Sequence, residues 1–431
     1  MTRASETAKR YLRRGSLGRN VATMFSGSVA AQILGVAILP LLTRVYTPAD
    51  FGIFAVFYAL SAVLATGISA RYEMAVVLPR GDAGARYVLL LSILLAIGLS
   101  SIALALAFVA VPFVQASERY GALAHTLYLL PLSLLAVGIT RTASSWLTRT
   151  KRFHALIAIR FQQVLLVIAF QLVFAIADLQ QGFGLIFGLV AGQLATMCYC
   201  LLQMQRDRLF RLPGMRRLVI AAKDHRQMPA FSLPSGLLNS FSQQSLSLVL
   251  AFFFAPPVIG AISLAQRALK TPLNTITLSI SRVYSQRLAE NVAHGRSNVP
   301  VVVKTVRFLM LIGAVGSVPI VLWAEPLFDF VFGSAWREAG RYVVWLLPIA
   351  ITQLAIRGVS RMFIYRKNHI GLIWQIFFLA GTLTAIMLGG VAESVKIALV
   401  AYSLFGSGMY ILHLALTLRY AGGSILSLFR P

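Results

Sequence analysis

The sequence predicts an all-α polytopic membrane protein: about twelve transmembrane helices in two six-helix lobes, related by a pseudo-two-fold axis along the membrane normal. Three observations predict it. The 431 residues are 58% hydrophobic and only 12% charged, with a mean hydropathy of +0.78, where a soluble chain carries about 25% charged residues. Apolar runs long enough for a helix to cross about 30 Å of hydrocarbon recur along the chain, without the ten-residue alternation of a barrel. The loops between those runs alternate between cation-rich and cation-poor.

Residues 1–20 hold six Lys/Arg and no apolar core. They read as a basic cytoplasmic tail rather than a signal peptide. Six spans follow at about 21–43, 51–70, 87–114, 122–148, 155–177 and 183–204. The linker at about 205–229, QRDRLFRLPGMRRLVIAAKDHRQMP, is too polar to span. An amphipathic helix on the anionic inner leaflet is expected there. Six more spans lie at about 230–255, 258–283, 300–323, 342–365, 370–390 and 394–418, before a cytoplasmic tail at 419–431.

With both termini inside, the inner segments collect 27 Lys/Arg. The outer loops hold five: Arg44, Arg119, Arg337, Arg341 and Lys396. This asymmetry favours both ends inside, and because a miscounted helix would scramble the alternation it also supports twelve spans. It also accounts for the net charge of +26, which in a soluble protein would point to nucleic acid, so no nucleic-acid partner is expected. The longest outer loop, 324–341, contains Glu325, Asp329 and Glu338. Cys198 and Cys200 share one apolar span and do not have metal-site spacing.

The halves echo each other. YTPADFG (46–52) joins spans 1 and 2, and FAPPVIG (254–260) joins spans 7 and 8. Pro48 and Pro256 stand 208 positions apart, as do Gly52 and Gly260. Six spans per half give both halves the same orientation, a parallel repeat with the ligand path between them.

Seven cations fall within spans: Arg141, Arg160, Arg267, Lys270, Arg307, Arg357 and Arg361. Arg267 is about nine residues into span 8, roughly 14 Å at the helical rise, and Lys270 is one turn deeper. Arg160 and Arg307 are close enough to the inner surface to snorkel. At 100° per residue, Ser263, Arg267, Lys270, Thr271, Asn274 and Ser281 share a stripe of span 8. Span 7 offers Ser232, Ser235, Asn239, Ser242 and Gln243, span 10 offers Gln353, Arg357, Ser360 and Arg361, and span 1 offers Ser28 and Gln32. Span 4 aligns Arg141 with Ser145 and Thr148. Placing Arg267, Lys270 and Arg357 at the bilayer centre would cost on the order of 9 kcal/mol. Every acid lies in a tail, a loop or a span end, with Glu73 the deepest. The missing counter-ion is therefore read as the ligand, an anion such as phosphate, which the Arg fork grips with two bonds. Backbone carbonyls or a wet funnel are the structural alternative. Pro272, just past the pair, is either a hinge or a packing kink.

The stretches LPLLTRVYTPADFGIFAVFYAL, ISARYEMAVVLP and VIGAISLAQRALKTPLNTITLSISRVYSQRLAE resemble the polysaccharide-biosynthesis flippases, the Wzx-like repeat-unit translocases of the multidrug/oligosaccharidyl-lipid/polysaccharide exporter superfamily. The resemblance implies two lobes around a cationic cavity that moves polyprenyl-diphosphate-linked oligosaccharide across the bacterial cytoplasmic membrane by alternating access. It places Arg267 and Lys270 in the family's span 8 motif, Arg44 in its TRxYTP element, and Arg71 with Glu73 in its RYE element. The last two also read as an ion pair at a helix end. The expected partners are the lipid-linked oligosaccharide, membrane lipids, and the polymerase and chain-length machinery.

No cofactor or metal is expected, and the membrane potential or an ion gradient is the candidate energy source. His125 and His413 are the in-span titratable groups, each read first as packed or interfacial. Tyr58 and Trp374 are candidate sugar contacts. Nothing matches a nucleotide loop or HExxH. The alternative readings are a multidrug and toxin extrusion antiporter, which normally keeps membrane carboxylates, and a membrane glycosyltransferase or polymerase, which normally has a large outer loop.

Overall fold

The computed structural model describes residues 32–177, 183–207, 209–210, 214–294, 296–359 and 368–424. These residues are helical, with no strand among them. In the first half α1 is Gln32–Val45, α2 Pro48–Leu64, α3 a single turn at Tyr72–Ala75, and α4 Asp82–Gln115. Then come α5 at Gly121–Arg149, α6 at Phe153–Ile176 and α7 at Gly184–Arg206. The linker holds α8, Met215–Asp224, and a π-helical turn, Met228–Ser232. The second half has α9 at Leu233–Leu250, α10 at Pro256–Ala293 and α11 at Val299–Phe332. It ends with α12 at Arg337–Arg357, α13 at Asn368–Val391 and α14 at Val395–Tyr420.

Leaving out α3 and α8, helices occupy all twelve predicted span positions. Eight are long and apolar enough to cross a membrane, and α1 and α2 are shorter apolar helices. The remaining two, α9 and α10, carry the polar stripes read from the sequence. Within the first half α4 packs on α5, α5 on α7 and α6 on α7; within the second, α11 packs on α12, α10 on α12, and α12 and α13 on α14. The halves meet mainly where α2 lies against α9 and α10.

The hairpin sequences explain these junctions. Thr47 and Asp50 form a reciprocal capping box: the Thr47 hydroxyl accepts from Asp50 N, and the Asp50 carboxylate accepts from Thr47 N. With Pro48 in the first turn, this starts α2 sharply. The Tyr46 hydroxyl donates to the Gln171 carbonyl at 2.7 Å, tying the corner to α6. At the crossing of α2 and α10, a Cβ on Gly52 would overlap the Pro256 carbonyl oxygen, and one on Gly260 the Pro48 carbonyl oxygen. The pairing of Pro and Gly seen in the sequence is thus a reciprocal backbone contact across the pseudo-two-fold.

Three boundaries differ from expectation. First, α2 ends at Leu64, and the chain turns through Ala70 and Arg71, both with positive φ. Second, α10 continues to Ala293, unbroken through Pro272. Third, the expected outer loop 324–341 is a tight corner, because α11 runs to Phe332 and α12 starts at Arg337. Glu325 pairs with Arg341 at 3.0 Å and with Arg337 at 3.6 Å, so acids at adjacent helix ends are neutralised without ending the helix.

The linker helix α8 is amphipathic, as expected. Leu218 and Ala221 are buried against Tyr72, Val76 and Leu89, Arg217 lies over the Tyr87 ring, and the Tyr72 hydroxyl donates to the Ala222 carbonyl. All of these anchors belong to the first half.

Candidate functional site

The cationic residues of α10 separate into two environments. Arg267 points at α2: its guanidinium carbon lies 4.8 Å from the Phe54 ring centroid and 5.6 Å from that of Tyr58. The two rings hold the guanidinium by cation–π attraction, and its fork of N–H donors suits an anion that offers two oxygens. Lys270, one turn on, donates to Gln266 Oε1 at 3.1 Å and lies within electrostatic reach of Arg357. Arg357 ends α12 and is exposed; its charge also reaches Tyr402 and Tyr410, and Gln353 hydrogen-bonds Tyr410. Asn239, Gln243 and Asn274 are exposed on their helices. Arg361 and Ser360, like Ser28, lie outside the described residues.

A cavity of about 390 Å³ opens between α1, α6 and α10, lined by Gln32, Gly35, Val36 and Leu39, by Arg160, Gln163 and Val164, and by Arg267 and Thr271. Gln32 and Arg267 are thus brought to one site. Arg160, which the sequence reading assigned to the lipid interface, also joins it. Its depth was legible in the sequence, but which side of α6 faces α10 is decided by tertiary packing.

Arg141 is placed differently from the stripe reading. Its Nη1 donates to the Ala65 carbonyl at 2.7 Å, satisfying a group at the end of α2, while its charge remains in reach of Tyr58, Arg71 and Glu73. Glu73 is the one buried acid among the described residues. It accepts from the Ser69 hydroxyl and pairs with Arg71 at 3.7 Å. The Arg71 guanidinium rests against Gly236 of α9, and the Ser240 hydroxyl donates to the Ala62 carbonyl. The RYE element therefore sits where the C-terminal end of α2 meets the start of α9. Arg44 is exposed in the last turn of α1, where its charge suits the helix dipole rather than the cavity.

The two halves are also joined at the opposite end of α9. Arg119 Nη1 donates to the carbonyls of Phe252 and Phe253 at 3.1 and 2.7 Å, just past the end of α9. Trp336 Nε1 donates to the Thr43 carbonyl at 3.0 Å. Trp374 does not face the α10 cavity. It stacks on Phe378 and His413, donates to the Met409 carbonyl, and lines an apolar groove between α13 and α14. Of the two candidate sugar contacts, Tyr58 lies beside Arg267 and Trp374 lies in this separate groove. No group of three or more metal-ligating side chains occurs among the described residues.

The helix order, the paired bundles and the reciprocal crossing of α2 and α10 define a multi-pass helical membrane fold. A solved structure titled lipid II flippase MurJ, inward closed conformation, superposes with a TM-score of 0.69 at 12% identity, covering 94% of this chain and 89% of the other. An inward-facing multidrug resistance MATE family transporter of the MOP superfamily gives 0.64 at 13% identity, covering 92% and 94%. A MOP superfamily transporter from Pyrococcus furiosus, described as having a binding pocket of reverse polarity, gives 0.53 at 15%, covering 95% and 96%. No curated protein matches the chain in sequence. A family model does: residues 41–341 match the polysaccharide biosynthesis protein family, and the chain belongs to that family.

Proposed function

We propose that this protein is a flippase for polyprenyl-diphosphate-linked oligosaccharide repeat units. It carries them from the inner to the outer leaflet of the bacterial cytoplasmic membrane, with both termini cytoplasmic, for O-antigen, capsule or exopolysaccharide assembly. The moving parts are the lobes at about residues 21–204 and 230–418. The observation that carries the reading is Arg267: a cation deep in α10 that rests on two aromatic rings instead of a carboxylate, in a cavity that admits a second arginine. Carboxylates pair with arginines at other places in the fold, at Arg71, Arg149, Arg152, Arg337 and Arg341.

In this mechanism the diphosphate head enters from the cytoplasmic side and takes the place of the missing counter-ion at Arg267 and Lys270, with Arg357 supplying further positive potential. The polyprenyl tail stays in the bilayer, passing through the side opening between α1, α6 and α10. Rocking of the lobes then exposes the head outside, where polymerase and chain-length machinery take it. Each negative charge moved outward releases about 2.3 kcal/mol per 100 mV, so the membrane potential favours export. An ion gradient is the alternative source.

The test is complementation of a deletion strain with the Arg267→Ala/Lys270→Ala double variant. The variant is expected to insert at normal abundance, to abolish surface glycan, and to leave polyprenyl-diphosphate glycan on the inner leaflet. Full export at normal abundance refutes the assignment.

A further inference from the structure

We propose that the halves are clasped at two places on one rim and part at only one of them, with Trp336 as the pivot and Arg119 as the latch. This rests on the rocking of the halves in the flippase reading, and it gives that motion a direction which the reading leaves open.

The two clasps are related by the repeat. In each half, the corner between the third and fourth spans donates hydrogen bonds to the carbonyl end of the other half's first span. The corner between α4 and α5 carries Arg119 and Tyr120. Arg119 donates to the Phe252 and Phe253 carbonyls, and the Tyr120 hydroxyl to that of Phe254 at 3.4 Å. The corner between α11 and α12 carries Trp336, which donates to the Thr43 carbonyl. At the 208-residue offset that relates Pro48 to Pro256, Thr43 corresponds to Ala251 and Tyr46 to Phe254. Carbonyls at a helix C-terminus have no partner within their own helix, so each half caps the first span of the other. Both acceptor segments are held in their own half. The Tyr46 hydroxyl bonds the Gln171 carbonyl, and the Phe253 ring sits on Gly390 of α13, where a Cβ would overlap it. The corner bonds therefore run between the halves rather than within one.

The chemistry of the two clasps differs. Trp336 is 1% exposed, and its ring meets Phe51, also 1% exposed, edge to face at 4.8 Å. Parting there would bare two large rings and leave the indole N–H and the Thr43 carbonyl unpaired. Arg119 is exposed, and so is Phe252. Water can take over the guanidinium and the carbonyls as they separate. Until then the positive charge faces the negative end of the α9 dipole and holds the clasp shut. The cheaper break is at Arg119. The halves therefore swing about Trp336, and the gap opens between the α4–α5 corner and the end of α9. The translocated head leaves on that side.

The test is double electron–electron resonance on the full chain in nanodiscs, with Cys198 and Cys200 replaced by serine. Spin labels on Glu118→Cys and Phe252→Cys span the latch, and labels on Val45→Cys and Ala335→Cys span the pivot; all four positions are exposed. Arg119→Ala is expected to raise the ratio of a long to a short distance across the latch by about tenfold or more, the scale of one charge-assisted hydrogen bond. The pivot pair is expected to keep its single short distance. Arg119→Lys is expected to keep most of the closed population. A general loosening of the fold would lengthen both pairs. If both pairs lengthen together, or the pivot pair alone, one-sided opening is overturned. If neither pair changes, the latch is overturned. The flippase reading is decided separately, by whether the wild type restores surface glycan to the deletion strain.

Discussion

Gly52 and Gly260 cross with their Cα atoms turned toward the other half, each seated on the carbonyl of the other half's helix-starting proline. The obstructing atoms are backbone, which cannot swing aside. Valine at either position is therefore expected to destabilise the protein by at least the roughly 1–3 kcal/mol of ordinary overpacking. Thermal unfolding in detergent checks this. Gly52→Val and Gly260→Val should lower Tm by similar amounts, because the contact is reciprocal.

Arg119→Ala should loosen the outer junction. Losing charge-assisted bonds to the Phe252 and Phe253 carbonyls removes about 1.5–3 kcal/mol, enough to shift an opening equilibrium by roughly tenfold or more. The measurement is thiol labelling from the outside of a single cysteine at Ser263, on a background with Cys198 and Cys200 replaced by serine. The labelling rate is expected to rise with Arg119→Ala and to stay low with Arg119→Lys.

Glu73→Gln should leave Arg71 as an uncompensated charge where α2 meets α9. Breaking a buried pair costs about 3–5 kcal/mol, less here because the Arg71 side chain is 23% exposed. The Arg71→Ala/Glu73→Gln double variant is expected to be destabilised by less than the sum of the two single changes. A double-mutant cycle on Tm measures the difference.

Phe54→Leu should weaken the seat of Arg267 while keeping bulk, and Tyr58→Phe should preserve it. The loss of a desolvated cation–π contact is about 2 kcal/mol. Export assayed as surface glycan is expected to fall with Phe54→Leu and to hold with Tyr58→Phe. The opposite order would place the Tyr58 hydroxyl, rather than the ring, in contact with the ligand.

The sequence showed the number of spans and the position of Arg267 because both follow from one-dimensional quantities, apolar run length and residue offset. It showed the repeat because Pro48, Gly52, Pro256 and Gly260 have backbone roles that few residue types can fill. What it hid depends on which helix faces which. Arg267 and Lys270 share a stripe, yet one meets α2 and the other α12. Arg141 is used on the Ala65 carbonyl, and no pattern within its own span shows that the end of α2 arrives there. Arg160 looked like a snorkelling residue by depth alone, and only the approach of α6 to α10 moves it into the cavity. The outer acids looked like a loop because charge suggests loop, but Glu325 is matched by Arg337 and Arg341 across a corner.

The attachment of α8 has a mechanical consequence. Leu218 and Ala221 are buried in a first-half cluster, and the bonds at Ala222 and Arg217 go to Tyr72 and Tyr87 of that half, so α8 is fixed to the first half. Any swing of the second half must be absorbed between Asp224, where α8 ends, and Leu233, where α9 begins. That tether contains Pro229 and the loosely wound turn Met228–Ser232. In the proposed rocking cycle the first half would be the stator and the second the rotor. Lengthening this short coupling should be tolerated, whereas shortening it should stall the stroke with every binding residue still in place.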